Sequence, residues 1–444
     1  MNAHLSLHSN VILTPRRAGL RAGEDNTVEV LVSIQAPDAP PESDAQRPPQ
    51  ALSLVIDRSG SMEGQPLREA GRCALYVVSQ LRATDTVSLV QFDDDVKCLV
   101  PAVPVGNGAE LRRAISALIT DGSTNLHGGW LAGAQSLEDV HSGDLRRVIL
   151  LSDGQANVGL VHTPEIVEQC AAWAARGITT STYGLGRDFN EELMVAMARA
   201  GGGNHYYGQT AEDLMPPFQE ELELLGNLCL REVYLTASVG EGVQVERVND
   251  LPASPQGWRL PDLAWGAVSW AVLRLRLPAA ALPAPGAKHP VLRVSVQGVS
   301  PAGEPISLER TGMALPVLSP AAWDGLADDE SVSRCLVELS AAEVLSQIHA
   351  AAGKEDWPLV TRLLEEASRQ FAGHGWVEAV LESMRHLAAS RQRALLGKEA
   401  LYASGKFKHR LMAKDETSLW GVAEETAGKP SYLRRKPTQG KGLV

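Results

Sequence analysis

Apolar residues along this chain change their spacing several times, and each change marks a different kind of element. Thr27-Val28-Glu29-Val30-Leu31-Val32-Ser33-Ile34 alternates with a period of two, as a strand with one buried face does. Leu5-Ser6-Leu7 and Val11-Ile12-Leu13 precede it, and residues 36–50, rich in Pro, Asp and Ser, read as an exposed linker. From about residue 51 to 227, short unbroken apolar runs such as Leu52-Ser53-Leu54-Val55-Ile56 and Arg147-Val148-Ile149-Leu150-Leu151 alternate with helical spacing. Strands are predicted at 51–56, 86–92, 147–152, 178–184 and near 204–208, with helices at 65–82, 109–118, 127–139, 163–176, 190–200 and 211–226. Thr163-Pro164-Glu165 supplies a hydroxyl cap followed by proline in the first helical position. Such alternation predicts an α/β fold with a doubly wound, mostly parallel sheet covered by helices on both faces.

Residues 228–318 return to period two in Val233-Tyr234-Leu235-Thr236-Ala237-Ser238-Val239, Val243-Gln244-Val245, Val268–Leu275 and Val291–Val296, the pattern of an antiparallel sandwich. The strands of residues 1–48 are too few to bury a core alone, so they are expected to complete this sandwich, with the segment 51–227 inserted between its two parts. Residues 328–400 become helical: Val332, Leu336, Leu339, Val344 and Ile348 recur at helical spacing, as do Leu359, Leu363, Leu364 and Ala367, and His374-Gly375-Trp376 starts a third helix. Trp357 and Trp376 read as core residues. Residues 406–444 show little periodicity and read as a flexible basic tail in which Lys429–Lys441 carries five positive charges and no negative one. Tyr432, Leu433, Arg434, Arg435 and Lys436 are its candidate partner-binding residues.

Composition narrows the function. A net charge of −12 over 444 residues argues against general nucleic-acid binding, and no run of about 18 apolar residues could span a bilayer. Met1-Asn2-Ala3-His4-Leu5-Ser6 does not read as an export signal. Five scattered cysteines without a Cys-x-x-Cys pair read as reduced thiols, the expectation for a cytoplasmic protein.

The candidate chemistry lies on loops that leave strands. Asp57-Arg58-Ser59-Gly60-Ser61 follows the first parallel strand, Gly122-Ser123-Thr124-Asn125 precedes a helix, and Ser152-Asp153-Gly154 ends another strand. Open α/β sheets bind ligands at this edge, and carboxylate and hydroxyl oxygens suit a hard divalent cation. Asp57, Ser59, Ser61, Thr124 and Asp153 stand in an order and context that resembles the metal-ion-dependent adhesion site of von Willebrand factor type A domains. Gly184-Leu185-Gly186 and Gly201–Tyr207 also look like late parts of such domains, and the flanking strands resemble bacterial relatives of inter-alpha-trypsin inhibitor heavy chains.

That resemblance implies Mg²⁺ (Mn²⁺ or Ca²⁺ are the alternatives) held directly by Ser59, Ser61 and Thr124, with Asp57 and Asp153 acting through bound water. An open position on the ion would take an Asp or Glu from a partner, making the chain a metal-dependent protein-interaction module. The alternative is an accessory subunit of an AAA+ ATPase of the MoxR or chelatase type. A metal-dependent hydrolase is a lesser reading, because no Gly-x-Ser-x-Gly elbow or phosphate loop is present. Glu63, Asp93, Asp94 and Asp95 read as solvated loop acids, and His127 as a residue beside the site rather than a general base.

Overall fold

In a computed structural model of the protein, residues 10–40, 47, 49–141, 144–153, 156–186, 189–308, 310–409 and 411–413 are described. Leu5-Ser6-Leu7 and the basic segment with Tyr432, Leu433, Arg434, Arg435 and Lys436 lie outside them.

Three strands open the chain, β1 (Asn10–Pro15), β2 (Leu20–Arg21) and β3 (Asn26–Gln35). A six-stranded sheet follows, built from β4 (Gln50–Asp57), β5 (Thr86–Phe92), β6 (Val96–Pro104), β7 (Leu145–Ser152), β8 (Ile178–Leu185) and β9 (Gly202–Gly208). Its order is β6-β5-β4-β7-β8-β9, and every pair is parallel except β5–β6. All of β4 is buried, which is why it reads as a continuous apolar run: helices cover both of its sides. On one side Leu52, Leu54 and Ile56 pack with Cys73 and Val77 of α1 (Gln65–Gln80). On the other side Val55, Val90 and Phe92 pack with helices that follow the edge-strand hairpin and α2 (Ala109–Ser116). These are α3 (Leu126–Ser136), α4 (Thr163–Ala175) and α5 (Glu191–Ala200), through Trp130, Ile166 and Leu193. Phe218 of α6 (Ala211–Gly226) returns to the first side.

The chain then enters β10 (Leu228–Ser238), β11 (Gln244–Arg247), β12 (Ala253–Ser254), β13 (Gly257–Arg259), β14 (Leu263–Ala264), β15 (Ala267–Leu277), β16 (Lys288–Val299), β17 (Pro305–Ser307) and β18 (Thr311–Leu318). One sheet runs β1-β3-β15-β11, and the other runs β12-β13-β10-β16-β18-β2. The N-terminal strand β3 lies antiparallel to β15 along its whole length, from Asn26 opposite Leu277 to Gln35 opposite Val268. Val30, Val32 and Ile34 share a buried cluster with Ala271 and Leu273 of β15 and with Val233, Leu235, Val294 and Val296 of the second sheet.

After α7 (Pro320–Asp324) come four longer helices: α8 (Glu330–Gly353), α9 (Trp357–Gln370), α10 (Gly375–Ala389) and α11 (Arg393–His409). Val332, Cys335 and Leu339 of α8 cover the reverse face of the β3–β15 sheet at Leu31, Val268, Trp270 and Val272. Trp357 and Trp376 are partly buried against the core, the latter edge-on to Phe407 at 4.7 Å between ring centroids.

Three elements differ from the sequence expectation. The strand β6 was not foreseen; its Pro101 and Pro104 argue against a strand interior and are tolerated because β6 is the sheet's edge. Helix α11 continues through Lys406 and Lys408 to His409, and β19 (Met412–Ala413) pairs with β15, so residues 406–409 and 412–413 belong to regular elements rather than to the expected tail. Thr163 is the first helical residue rather than the cap; His162 holds the cap position, and its ring meets Glu165 at 2.8 Å.

Candidate metal centre

The C-terminal ends of the parallel strands bring the sequence-predicted ligands to one edge. Asp57, the last residue of β4, is fully buried, and both of its oxygens are engaged. Oδ1 accepts the Ser59 amide at 2.9 Å, and Oδ2 accepts the Ser152 hydroxyl from the end of the neighbouring β7. The chain then makes one 3-10 turn, Gly60–Met62, anchored by the buried Met62 side chain. This turn sets the Ser59 and Ser61 hydroxyls 3.1 Å apart, and the Ser61 hydroxyl donates to Asp153 at 3.0 Å. Asp57, Ser59, Ser61 and Asp153 thus form one connected set, graded from fully buried Asp57 to exposed Ser61.

Thr124 joins through the backbone. Its amide donates to the Asn157 side chain at 2.8 Å, and its carbonyl accepts the amides of Asn157 and Val158 at 3.1 and 3.2 Å. The loop before it meets the first loop where the Gly60 amide donates to the Gly122 carbonyl at 3.0 Å. Gly122 has φ +60°, and a Cβ there would approach the Asp94 carboxylate to 3.1 Å, so glycine answers both the turn and the close approach.

Sequence reasoning missed the residues that hold these loops together. Arg58 ion-pairs with Asp93, its Nη1 donates to the Ile119 carbonyl at 3.2 Å, and its own carbonyl accepts the Asp121 amide at 2.9 Å. Asn157 and Ser152 complete the frame. Arg58 sits inside the Asp-x-Ser-x-Ser pattern and Ser152 directly precedes Asp153, so adjacency was the only signal available; Asn157 carried none. Of the acids read as solvated loop residues, Asp94 and Asp95 are exposed, and Asp94 accepts the Ser123 amide at 2.6 Å. Asp93 is instead buried, because it pairs with Arg58 and accepts the Asp95 amide at 2.7 Å. His127 is engaged with Gln169 at 2.9 Å on α4.

The donor set fits a hard cation. Burial pushes the Asp57 carboxyl above the usual carboxylate range, with the Ser152 and Ser59 hydrogen bonds opposing it, and a divalent ion close by would offset that burial. The remaining donors are alcohol oxygens and one carboxylate, with no sulfur or imidazole among them. Among the described residues, no group of three or more His, Cys, Asp or Glu is clustered to hold a metal in any other way, and no helix is long and apolar enough to cross a membrane.

The other half of this edge is held by α11. Lys398 and Glu399, both buried, reach Phe189, just before α5, and β9: the Lys398 ammonium lies 3.6 Å from the Phe189 ring centroid, and Glu399 accepts the Tyr207 hydroxyl. His349 of α8 approaches Glu192 of α5 at 3.5 Å. Burial pushes Glu191 up to about 8, with Lys398 opposing, and brings His205 down to about 3.

Comparison with known proteins agrees with this architecture. The model of the von Willebrand factor type A domain matches residues 52–221. An uncharacterized protein of Escherichia coli, YfbK, is 30% identical over 220 residues, covering 48% of this chain and 36% of that protein. Human inter-alpha-trypsin inhibitor heavy chain H3 is 27% identical over 187 residues, 39% of this chain and 21% of its own length. The chain therefore spans 36% and 21% of the length of these two curated relatives. Among solved structures, a von Willebrand factor type A protein from Catenulispora acidiphila has the same fold over 86% of this chain and 91% of its own, with a TM-score of 0.68 at 16% identity. An ArnB paralog, VWA2, from Sulfolobus acidocaldarius covers 90% of this chain and 98% of its own, with a TM-score of 0.59 at 16% identity. The unit that carries Asp57, Thr124 and Asp153 on its strand-end loops is a von Willebrand factor type A domain.

Proposed function

We propose that the strand-end loops hold Mg²⁺ and that the ion joins this chain to a carboxylate on a protein partner. Ser59, Ser61 and Thr124 would hold the ion directly, and Asp57 and Asp153 from behind. The observation that supports this most is the hydrogen-bonded run from Asp57 through Ser59 and Ser61 to Asp153, drawn from the ends of two adjacent strands, with Thr124 on the loop bonded to the same turn. When bound, the ion supplies an electrophilic position that a partner Asp or Glu can fill.

The chain's own contribution is pre-organisation. Asp57 fixes the Ser59 amide, Arg58 ties three loops together, and Asn157 holds Thr124. The reading is one of binding rather than turnover: the nearby acids serve the loops and His127 faces α4. A cytoplasmic setting, expected from the scattered thiols, belongs to the same proposal, as does a docking role for the basic segment 429–441.

Calorimetric titration of MgCl₂ into the full chain is the test. One saturable site is expected for the native protein, with no measurable binding in Asp57→Ala and at least about tenfold weaker binding in Thr124→Ala, circular dichroism being unchanged. Equal Mg²⁺ affinity in native protein and Asp57→Ala would overturn the assignment.

A further inference from the structure

Among the described residues, the large apolar side chains standing out in solvent are Ile12 at 40%, Ile119 at 72% and Val161 at 49% exposure. Two of these three flank the metal loops. Ile119 lies on the segment leading to Thr124, and Val161 on the segment leaving Asp153 toward α4. Single exposed apolar residues are ordinary on protein surfaces. What sets Ile119 apart is that its backbone is pinned: the Ile119 carbonyl accepts from Arg58, and the Asp121 amide donates back to the Arg58 carbonyl.

The exposed charges on these loops are mostly negative. Glu63 follows Ser61, Asp94 and Asp95 form the β5–β6 turn, and Asp121 precedes Thr124; all four are exposed, and among the described residues none is in an ion pair. The arginine of this face, Arg58, is occupied by Asp93, and His127 and His162 are engaged with Gln169 and Glu165. Lys97, at the start of β6, is the one exposed cation beside the Asp94–Asp95 turn. The rim therefore repels further carboxylates while a bound cation attracts one.

We propose that this face selects a partner segment in which one Asp or Glu is flanked by bulky apolar residues and by Lys or Arg, and that it rejects acidic clusters. Ile119 and Val161 contact the apolar neighbours; Glu63, Asp94, Asp95 and Asp121 attract the basic ones. This rests on the metal-bridging reading and adds to it the identity of the residues around the carboxylate. Each apolar contact is expected to change affinity about tenfold, or about 1.4 kcal/mol.

The test uses two displayed libraries of nine-residue peptides, one with a fixed central Asp and one with a fixed central Asn, selected on the full chain with Mg²⁺ and with chelator. The expected result is retention of the Asp library in Mg²⁺ alone, with apolar and basic residues enriched beside the Asp. Peptides so selected should bind Ile119→Ser about tenfold more weakly with Mg²⁺ affinity unchanged, and Glu63→Gln/Asp95→Asn, compared at saturating Mg²⁺, should lose the basic preference. Retention of Asp peptides with indifferent or acidic flanks, or undiminished binding to Ile119→Ser, overturns this inference and leaves the metal-bridging reading standing. Equal retention of the Asp and Asn libraries overturns that reading as well.

Discussion

A carboxylate removed from water has to be compensated by its neighbours, and two of the fully buried ones, Glu221 and Asp57, are compensated differently. Glu221 of α6 receives the Arg147 guanidinium, the Ser181 hydroxyl at 2.5 Å, the Asn204 amide at 2.7 Å and the Tyr206 hydroxyl at 3.1 Å. Burial alone would push it up, but Arg147 and these donors outweigh burial and leave it below the usual carboxylate range. Breaking one member of such a pair strands the other, so Glu221→Gln is expected to cost roughly 3–5 kcal/mol in chemical denaturation. Because the folded value lies below the unfolded one, this stabilisation is present above about pH 4.5 and is lost as the pH falls through the folded value. The gap between native and variant should therefore close in acid. Asp57 has no ion-paired protein cation among the described residues, and burial leaves it raised; the proposed ion would lower it. At this scale the sequence was readable where chemistry is contiguous: Asp57, Ser59 and Ser61 lie within five residues. Arg58, Ser152 and Asn157 were not singled out, because each works by fixing backbone or a partner's orientation, and any of many residue types in a loop can do that.

Elements were legible in proportion to how one-sided their environment is. The central strand β4 and the amphipathic α1 and α9 face one setting along their whole length, and their patterns are clear. Helix α11 is enclosed by other helices and by the strand ends, with Leu396, Lys398, Glu399, Tyr402 and Phe407 all buried, so it lacks the single apolar stripe that marks a surface helix. Its first half fell within the helical region expected to residue 400, and only its end, from Lys406, was read as tail. Helix α3 carries glycine where it approaches the sheet most closely. A Cβ on Gly133 would fall 2.3 Å from the Val55 side chain, and one on Gly129 would fall 2.4 Å from Phe92, so α3 lies against the sheet with no room for a methyl group. Gly133→Ala is expected to destabilise the protein by about 1–3 kcal/mol, read as a lower midpoint in thermal denaturation. The cost should reach the site too, because α3 starts at Leu126, directly after the Thr124 loop.

For the whole molecule, long-range pairing is what local pattern cannot specify. Period two in residues 27–34 predicts a strand but not its neighbour, and the neighbour β15 lies more than two hundred residues away in the chain. We propose that β1 to β3 and β10 to β18 are one folding unit with the α/β domain inserted. Removing residues 1–35 is then expected to expose residues 267–277 to limited proteolysis, and unchanged protection of that segment would contradict the proposal. The same sheet receives the other end of the described chain, since Met412 and Ala413 pair with Val268 and Ala267 of β15. Early, middle and late segments are therefore tied within one sheet, β1-β3-β15 with β19 alongside. Mechanically, a load applied between residue 10 and residue 413 passes across those strands, and the strands of the α/β domain lie outside that path.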